Sequence, residues 1–228
     1  IRDRKIAAMR VYTVTRVSVN PQSMQAATLE RIGRHHSPAD IVRMVHEIRA
    51  AMNVHINMDV ILGLPGETAA DVERTMAAVT ALAPDDITLH ALALKRGSNL
   101  RLKMETEHVE LPSDAETRRM SEAAVRAVEE AGYRPYYLYR QGYMSGDLEN
   151  VGYARAGAES IYNIQIMEEH QTIIGIGGAA TTKVLGIRSG RMHSVFNAKD
   201  LVTYLRDIDI YIEKRRALLR AEYEEATP

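Results

Sequence analysis

Residues 54–79 carry the feature that most restricts the fold: a β-like run, a glycine turn and an amphipathic helix follow one another without a gap. Val54 to Leu62 has strand length and composition. Gly63-Leu64-Pro65-Gly66-Glu67 then makes the turn, because glycine reaches backbone angles closed to other residues and Pro65 stiffens the path. Thr68, with Asp71 three residues on, caps a helix whose Val72, Met76 and Val79 form one apolar stripe.

The same alternation flanks this unit. Thr15 to Asn20 and Ile87 to Leu92 read as strands. Ser37-Pro38-Ala39-Asp40 offers an N-cap, a proline at the first helical position and an acid near the third, and Ile41, Val45, Ile48 and Met52 continue the buried stripe. Ser113 and Glu116 spell a capping box for a helix that stops at Gly132, a natural left-handed terminator. Strand, helix, strand, helix, strand, helix is the pattern of a parallel sheet, so the fold class is α/β.

Beyond Gly132 the texture changes. Tyr133, Tyr136, Tyr137, Tyr139 and Tyr143 crowd one stretch, and 161–166, 172–176 and 182–187 read as further strands. Asn197 and Asp200 begin a last helix bearing Leu201, Leu205, Ile208 and Ile212, which turns charged from Lys214 and is expected to fray. These signs divide the chain into 1–133 and a smaller α+β region, 134–228.

Composition removes several classes of function. With 29 basic and 30 acidic residues the net charge is -1, and neither sign forms a block, which disfavours nucleic acid as a partner. No run of about 18 apolar residues and no leading signal segment occurs, so no membrane partner is expected and the reading is cytoplasmic. The absence of cysteine excludes disulfides and thiolate-bound metal from this chain, and none of the eight histidines pairs with another at the spacing of a zinc helix, so no metal ligands are assigned. Ile1 is not an initiator methionine, and Lys5 to Met9 read as the tail of a helix under way, so the chain is expected to be truncated.

Strand parity points to the chemistry. In the first run Arg16, Ser18, Asn20 and Gln22 share a face opposite Val17 and Val19; in the second, His55, Asn57, Asp59 and Ile61 oppose Ile56, Met58, Val60 and Leu62. Parallel strands covered on both sides are usually apolar throughout, and these are not. Asn57 and Asp59 form either a self-satisfied polar layer or a ligand site, and the recurrence on two neighbouring strands favours the ligand site. Free amides at the helix start by Thr68 could receive a carboxylate. The second glycine cluster, Gly175-Ile176-Gly177-Gly178-Ala179-Ala180, is no dinucleotide fingerprint, because a β-like run follows it where a helix is required. Close approach to a ligand or another strand remains open for it.

Taken together, three segments are familiar: Arg16-Val17-Ser18-Val19-Asn20-Pro21-Gln22-Ser23, Ile32-Gly33-Arg34-His35-His36-Ser37, and Met58-Asp59-Val60-Ile61-Leu62-Gly63-Leu64-Pro65-Gly66-Glu67-Thr68. They resemble the radical S-adenosylmethionine (radical SAM) superfamily, and within it the oxygen-independent coproporphyrinogen III oxidase, or coproporphyrinogen dehydrogenase, family. Leu148-Glu149-Asn150-Val151-Gly152-Tyr153-Ala154 and Tyr162-Asn163-Ile164-Gln165-Ile166-Met167-Glu168-Glu169 look like its dehydrogenase-like branch.

The resemblance implies a partial (β/α)6 barrel with a C-terminal extension. It implies two cofactors, S-adenosylmethionine and a 4Fe-4S cluster held by a Cys-x-x-x-Cys-x-x-Cys loop, and an electron donor for that cluster. The implied reaction starts with a 5′-deoxyadenosyl radical taking hydrogen from a propionate of a tetrapyrrole substrate, coproporphyrinogen III; loss of carbon dioxide leaves a vinyl group. Gln22, Arg34 and Asp59 match positions that contact S-adenosylmethionine, as do Ala93 through its backbone and, less closely, Thr181. The cysteine loop, a glycine-rich loop and a further cofactor-binding acid would fall before Ile1, so the chain alone is expected to be inert. Lys95, Arg96 and Arg140 are candidates for the substrate carboxylates. Two other readings stand beside this one: a haem chaperone on the same scaffold, and a non-radical barrel enzyme with Asp59 as general base.

Overall fold

The computed structural model describes residues 2–93, 110–140 and 148–224. Lys95, Arg96 and Tyr143 lie outside them. The chain divides into two compact units, Ile1–Ser160 and Ile161–Pro228.

The first unit runs α1 (Arg2–Val11), β1 (Arg16–Ser18), α2 (Ala26–Arg31), α3 (Pro38–Ala51), β2 (His55–Leu62), α4 (Ala69–Ala81), β3 (Asp86–Ala91), α5 (Asp114–Glu130), β4 (Arg134–Tyr139) and β5 (Asn150–Ala154). Its sheet has the order β1-β2-β3-β5-β4. β1, β2 and β3 are parallel, as the strand–helix alternation predicts, while β5 pairs antiparallel with both β3 and β4. The division expected near residue 134 therefore marks a change from parallel to antiparallel pairing, and the compact unit continues to Ser160. The sheet hides that continuation from the sequence: β4 opens Arg134-Pro135, and proline is tolerated there because β4 is an edge.

Local chemistry starts the helices. At α3, Ser37 Oγ accepts from the Asp40 amide at 3.2 Å and Asp40 returns the bond to the Ser37 amide at 2.9 Å. Asp71 does likewise for the Thr68 amide at 2.9 Å. The box expected at α5 is only half made: Ser113 Oγ accepts from the Glu116 amide at 3.2 Å, but the Glu116 carboxylate turns elsewhere. Gly132 ends α5 in the left-handed region, φ +86°.

One face of the sheet is dry. Ile56, Met58, Val60, Leu62, Ile87 and Leu89 pack on Ile41, Val45 and Ile48 of α3, Val72, Met76 and Val79 of α4, and Met120, Ala124 and Val128 of α5 in one buried cluster. Each such side chain contributes about 1.5–3 kcal/mol on removal from water. That cluster consumes the apolar parity of β1, β2, β3 and β5, and the polar parity is left for the other face.

The second unit holds α6 (Ile161–Glu168), a β6–β7 hairpin (Thr181–Leu185 and Met192–Phe196), α7 (Leu201–Arg206) and α8 (Ile208–Tyr223). Three expectations are corrected here. Residues 161–166 are helical; their β-branched content misled, and none of the helix is buried. Residues 172–176 form only one isolated bridge, Ile173 to Lys183. The last helix breaks at Asp207 and does not fray after Lys214, because its end is tied down. Glu222 accepts from the amides of Arg188 at 3.3 Å and Ser189 at 3.2 Å, and Tyr223 donates to Leu185 O at 2.7 Å. The Gly175 cluster serves backbone packing: a Cβ on Gly175 would lie 2.4 Å from Thr181 O.

Candidate cofactor site

In-register partners on parallel strands share a face. Ser18 pairs with Asn57, Asn57 with Asp86, Asp59 with Thr88, and Ile61 with His90. β4 and β5 extend the same tiers, with Gly152 between Thr88 and Tyr137, and Asn150 opposite Tyr139. The face away from the helices is thus a polar surface assembled from five strands.

Asp59 stands at its centre. Asn20 Nδ2 donates to Oδ2 at 2.6 Å, Asn57 Nδ2 donates to Oδ1 at 2.8 Å, and His90 Nε2 lies 3.7 Å from Oδ1. Burial penalises the charged carboxylate, but the contacts from His90 and Asn57 outweigh that penalty and hold its carboxyl below the usual aspartate range. Asn20 Oδ1 is buried with no partner. Asp59 is therefore an anion at neutral pH, held by donors and bordered by an unused acceptor.

Gln22 arrives by an irregular route. Ser18 pairs with Asn57 but Gln22 bridges to Val60, so four steps along the first strand match three along the second. The bridge is real in both directions: Gln22 donates to Asp59 O at 3.0 Å and accepts from the Ile61 amide at 2.8 Å. Val60 itself belongs to the dry face. Gln22 reaches the polar side through a left-handed backbone, φ +65°, which costs a non-glycine residue about 1–3 kcal/mol and tends to persist at functional sites.

A pocket of about 270 Å³ opens beside this array, lined by Gln22, Ile61, His90, Ala91, Leu92, Ala93, Tyr139 and Asn150. Of the residues that the sequence singles out, Gln22 and Ala93 meet in the pocket wall, and Asp59 adjoins it through His90. Arg34 is exposed on the loop after α2, its amide closing that helix on Leu29 O at 2.8 Å, and does not line the pocket. Thr181 opens β6 in the second unit. Arg140 is exposed at the end of β4.

The sequence names Tyr139 only within the tyrosine cluster and Asn150 only within a motif match, and His90 is not singled out there. Asp86, Thr88 and His90 alternate as clearly as Asn57 and Asp59, so the signal for His90 was present. Tyr139 and Asn150 had no such signal, because antiparallel β4 and β5 are joined to β3 only by the sheet. Asn150 Oδ1 accepts from the Ala91 amide at 2.9 Å, fixing the strand end where the pocket begins.

The Gly-Leu-Pro-Gly-Glu turn is anchored inward. Glu67 is buried and accepts from Ser23 Oγ at 2.5 Å; burial pushes its carboxyl up, against the hydrogen bonds of Ser23 and Thr28. Arg31 donates to Pro65 O at 2.6 Å and fills the space where a Gly66 Cβ would stand, 2.4 Å from Nη1. The turn thus packs against α2.

The polar face suits S-adenosylmethionine. An ionised carboxylate and an unpartnered Asn20 oxygen adjoin a pocket walled by Gln22, a chemistry that suits a ligand bringing positive charge and hydrogen-bond donors. An iron–sulfur cluster is a different matter: the chain has no cysteine, and among the described residues no three His, Cys, Asp or Glu side chains converge to hold a metal. No described helix is long and apolar enough to cross a membrane.

Comparison with known proteins bears on family and fold. A profile of the Radical SAM superfamily matches residues 1–79. The oxygen-independent coproporphyrinogen-III oxidase-like protein HemZ of Bacillus subtilis (strain 168) is 39% identical over 227 residues, 100% of this chain and 45% of that protein. The heme chaperone HemW of the same organism is 24% identical over 198 residues, 87% of this chain and 49% of that protein. Among solved structures, the coproporphyrinogen III oxidase HemN from Escherichia coli shares the fold with a TM-score of 0.68 at 18% identity, over 90% of this chain and 45% of that one. The chain spans less than half the length of each of these relatives. It belongs to the radical SAM superfamily and is similar, within it, to the oxygen-independent coproporphyrinogen-III oxidase-like protein HemZ along its whole length.

Proposed function

We propose that this chain is the S-adenosylmethionine-binding portion of an oxidoreductase that converts propionates of coproporphyrinogen III to vinyl groups. The observation that supports it is the ionised, donor-held Asp59 beside a pocket walled by Gln22 and Ala93. S-adenosylmethionine, when bound, supplies the hydrogen-abstracting chemistry. The chain's own residues do the holding. Asp59 offers a fixed anion, Asn20 Oδ1 and the Gln22 amide group offer polar partners, and Ala93 offers its backbone. Arg34 and Thr181 join the set on the strength of the motif match alone. The cluster cysteines and the electron donor come from outside these residues, so the chain by itself turns nothing over. The tetrapyrrole is the proposed substrate, and the cytoplasm the proposed compartment.

A second reading is a haem chaperone, favoured by the 24% identity to HemW across 87% of this chain. The test uses the full-length protein, reduced and anaerobic, with S-adenosylmethionine and coproporphyrinogen III. Vinyl-bearing porphyrinogen with release of carbon dioxide is the expected product. Stoichiometric haem binding and transfer to an apo-acceptor, with coproporphyrinogen untouched, would replace the enzyme by the chaperone.

A further inference from the structure

We infer that His90 is a positioning residue: it acts through Asp59 to fix the anion that holds the cofactor, and Tyr139 sets its tautomer. The inference rests on the cofactor reading above. Among the described residues, His90 both lines the pocket and approaches the Asp59 carboxylate. Its ring is engaged at both nitrogens, with Nε2 3.7 Å from Asp59 Oδ1 and Nδ1 3.4 Å from the Tyr139 hydroxyl.

For a neutral ring those two contacts favour one tautomer. A carboxylate only accepts, so the nitrogen facing Asp59 must carry the hydrogen. Nδ1 is then an acceptor, and Tyr139 must donate to it. In that tautomer Tyr139 O–H points to Nδ1 and Nε2–H to Asp59, and Asn57, two residues earlier on β2, donates to the same Oδ1 at 2.8 Å.

The surroundings hold the ring edge-on. Tyr139 lies nearly perpendicular to the imidazole, 72° with centroids 6.4 Å apart, and stacks 4° from parallel on Tyr137. Tyr137 in turn is laid over Gly152 and meets Thr88 Oγ1 at 3.2 Å. Three strands thereby constrain one imidazole whose Nε2 faces Asp59.

The test measures S-adenosylmethionine affinity of the full-length, cluster-loaded protein by calorimetry. His90→Leu keeps the bulk and removes the donor; His90→Gln keeps an N–H near the Nε2 position. Leucine should weaken binding about tenfold, the low end of what removing a donor from beside a charged carboxylate costs. Glutamine should restore affinity to within about threefold, which a purely structural role would not predict. In an Asp59→Asn background His90→Leu should have no further effect, since the residue acts through the carboxylate. An undiminished effect of His90→Leu on top of Asp59→Asn overturns the positioning role while leaving the cofactor site standing. If Asp59→Asn alone leaves affinity unchanged, the cofactor site itself is wrong and the role of His90 falls with it.

Discussion

The Glu116 carboxylate accepts a 2.7 Å hydrogen bond from the amide of Ala69, at the first turn of α4. From the sequence, that helix start was a candidate receptor for a ligand carboxylate. The fold has filled it with its own, which draws the Glu116 carboxyl below the usual glutamate range, chiefly through the Ala69 amide. Glu116→Ala should therefore lower the thermal midpoint at neutral pH. A depressed carboxyl stabilises the fold above its ordinary titration range, and that gain disappears as pH falls through the folded value. The gap between wild type and variant should close in acid; a gap independent of pH would refute the bond as its source.

Asp86 should behave in the opposite sense. It is almost fully buried between Arg16 and Tyr136, and burial, outweighing the attraction of Arg16, pushes its carboxyl up from 3.8 to about 6. The folded state then binds more protons between those values. Its contribution is full below about pH 4 and is lost as pH rises through about 6, a change on the order of 3 kcal/mol. Asp86→Asn should flatten that slope in urea denaturation series at fixed pH steps. An unchanged wild-type-minus-variant difference from pH 4 to 6 would contradict the assignment.

Gly152 is required by an aromatic ring. A Cβ there would lie 1.8 Å from Cε1 of Tyr137, which is stacked on Tyr139 and cannot retreat along the sheet. Gly152→Ala should cost about 1–3 kcal/mol, the usual range for overpacking. Adding Tyr137→Leu should recover part of it, because the obstructing ring is gone. Additive losses in the double variant would locate the strain elsewhere.

In the full-length protein, Asp59→Ala should raise the dissociation constant for S-adenosylmethionine roughly tenfold to a hundredfold, from about 1.5–3 kcal/mol for a lost charged hydrogen bond. Asp71→Ala is the control: it removes the α4 cap without touching the polar face, and should leave affinity unchanged.

Expressed alone, the chain should take up no iron–sulfur cluster, having no thiolate to offer. Anaerobic reconstitution should leave iron at background and no brown charge-transfer absorbance. Stoichiometric iron would mean that ligands other than cysteine suffice.

What the sequence determined by itself is whatever local spacing encodes. Alternation at every second residue put Asp59 opposite Met58 and Val60, and hydroxyl–acid spacing started α3 and α4, since those partners are three residues apart or fewer. Tertiary structure decided the contacts made over long separations. Parity put Gln22 on the right face for an incomplete reason: its ladder partner is Val60 of the opposite face, and only a left-handed backbone returns it to the pocket. Residues 161–166 look like a strand because β-branched side chains favour one, yet no described strand pairs with them, and they wind into a helix. Glu116 reaches Ala69 across 47 residues, and Tyr139 reaches His90 across 49. No periodicity carries information over such distances. Which carboxylate closes a helix, and which hydroxyl sets a tautomer, follows from how the elements pack once the dry face of the sheet is buried.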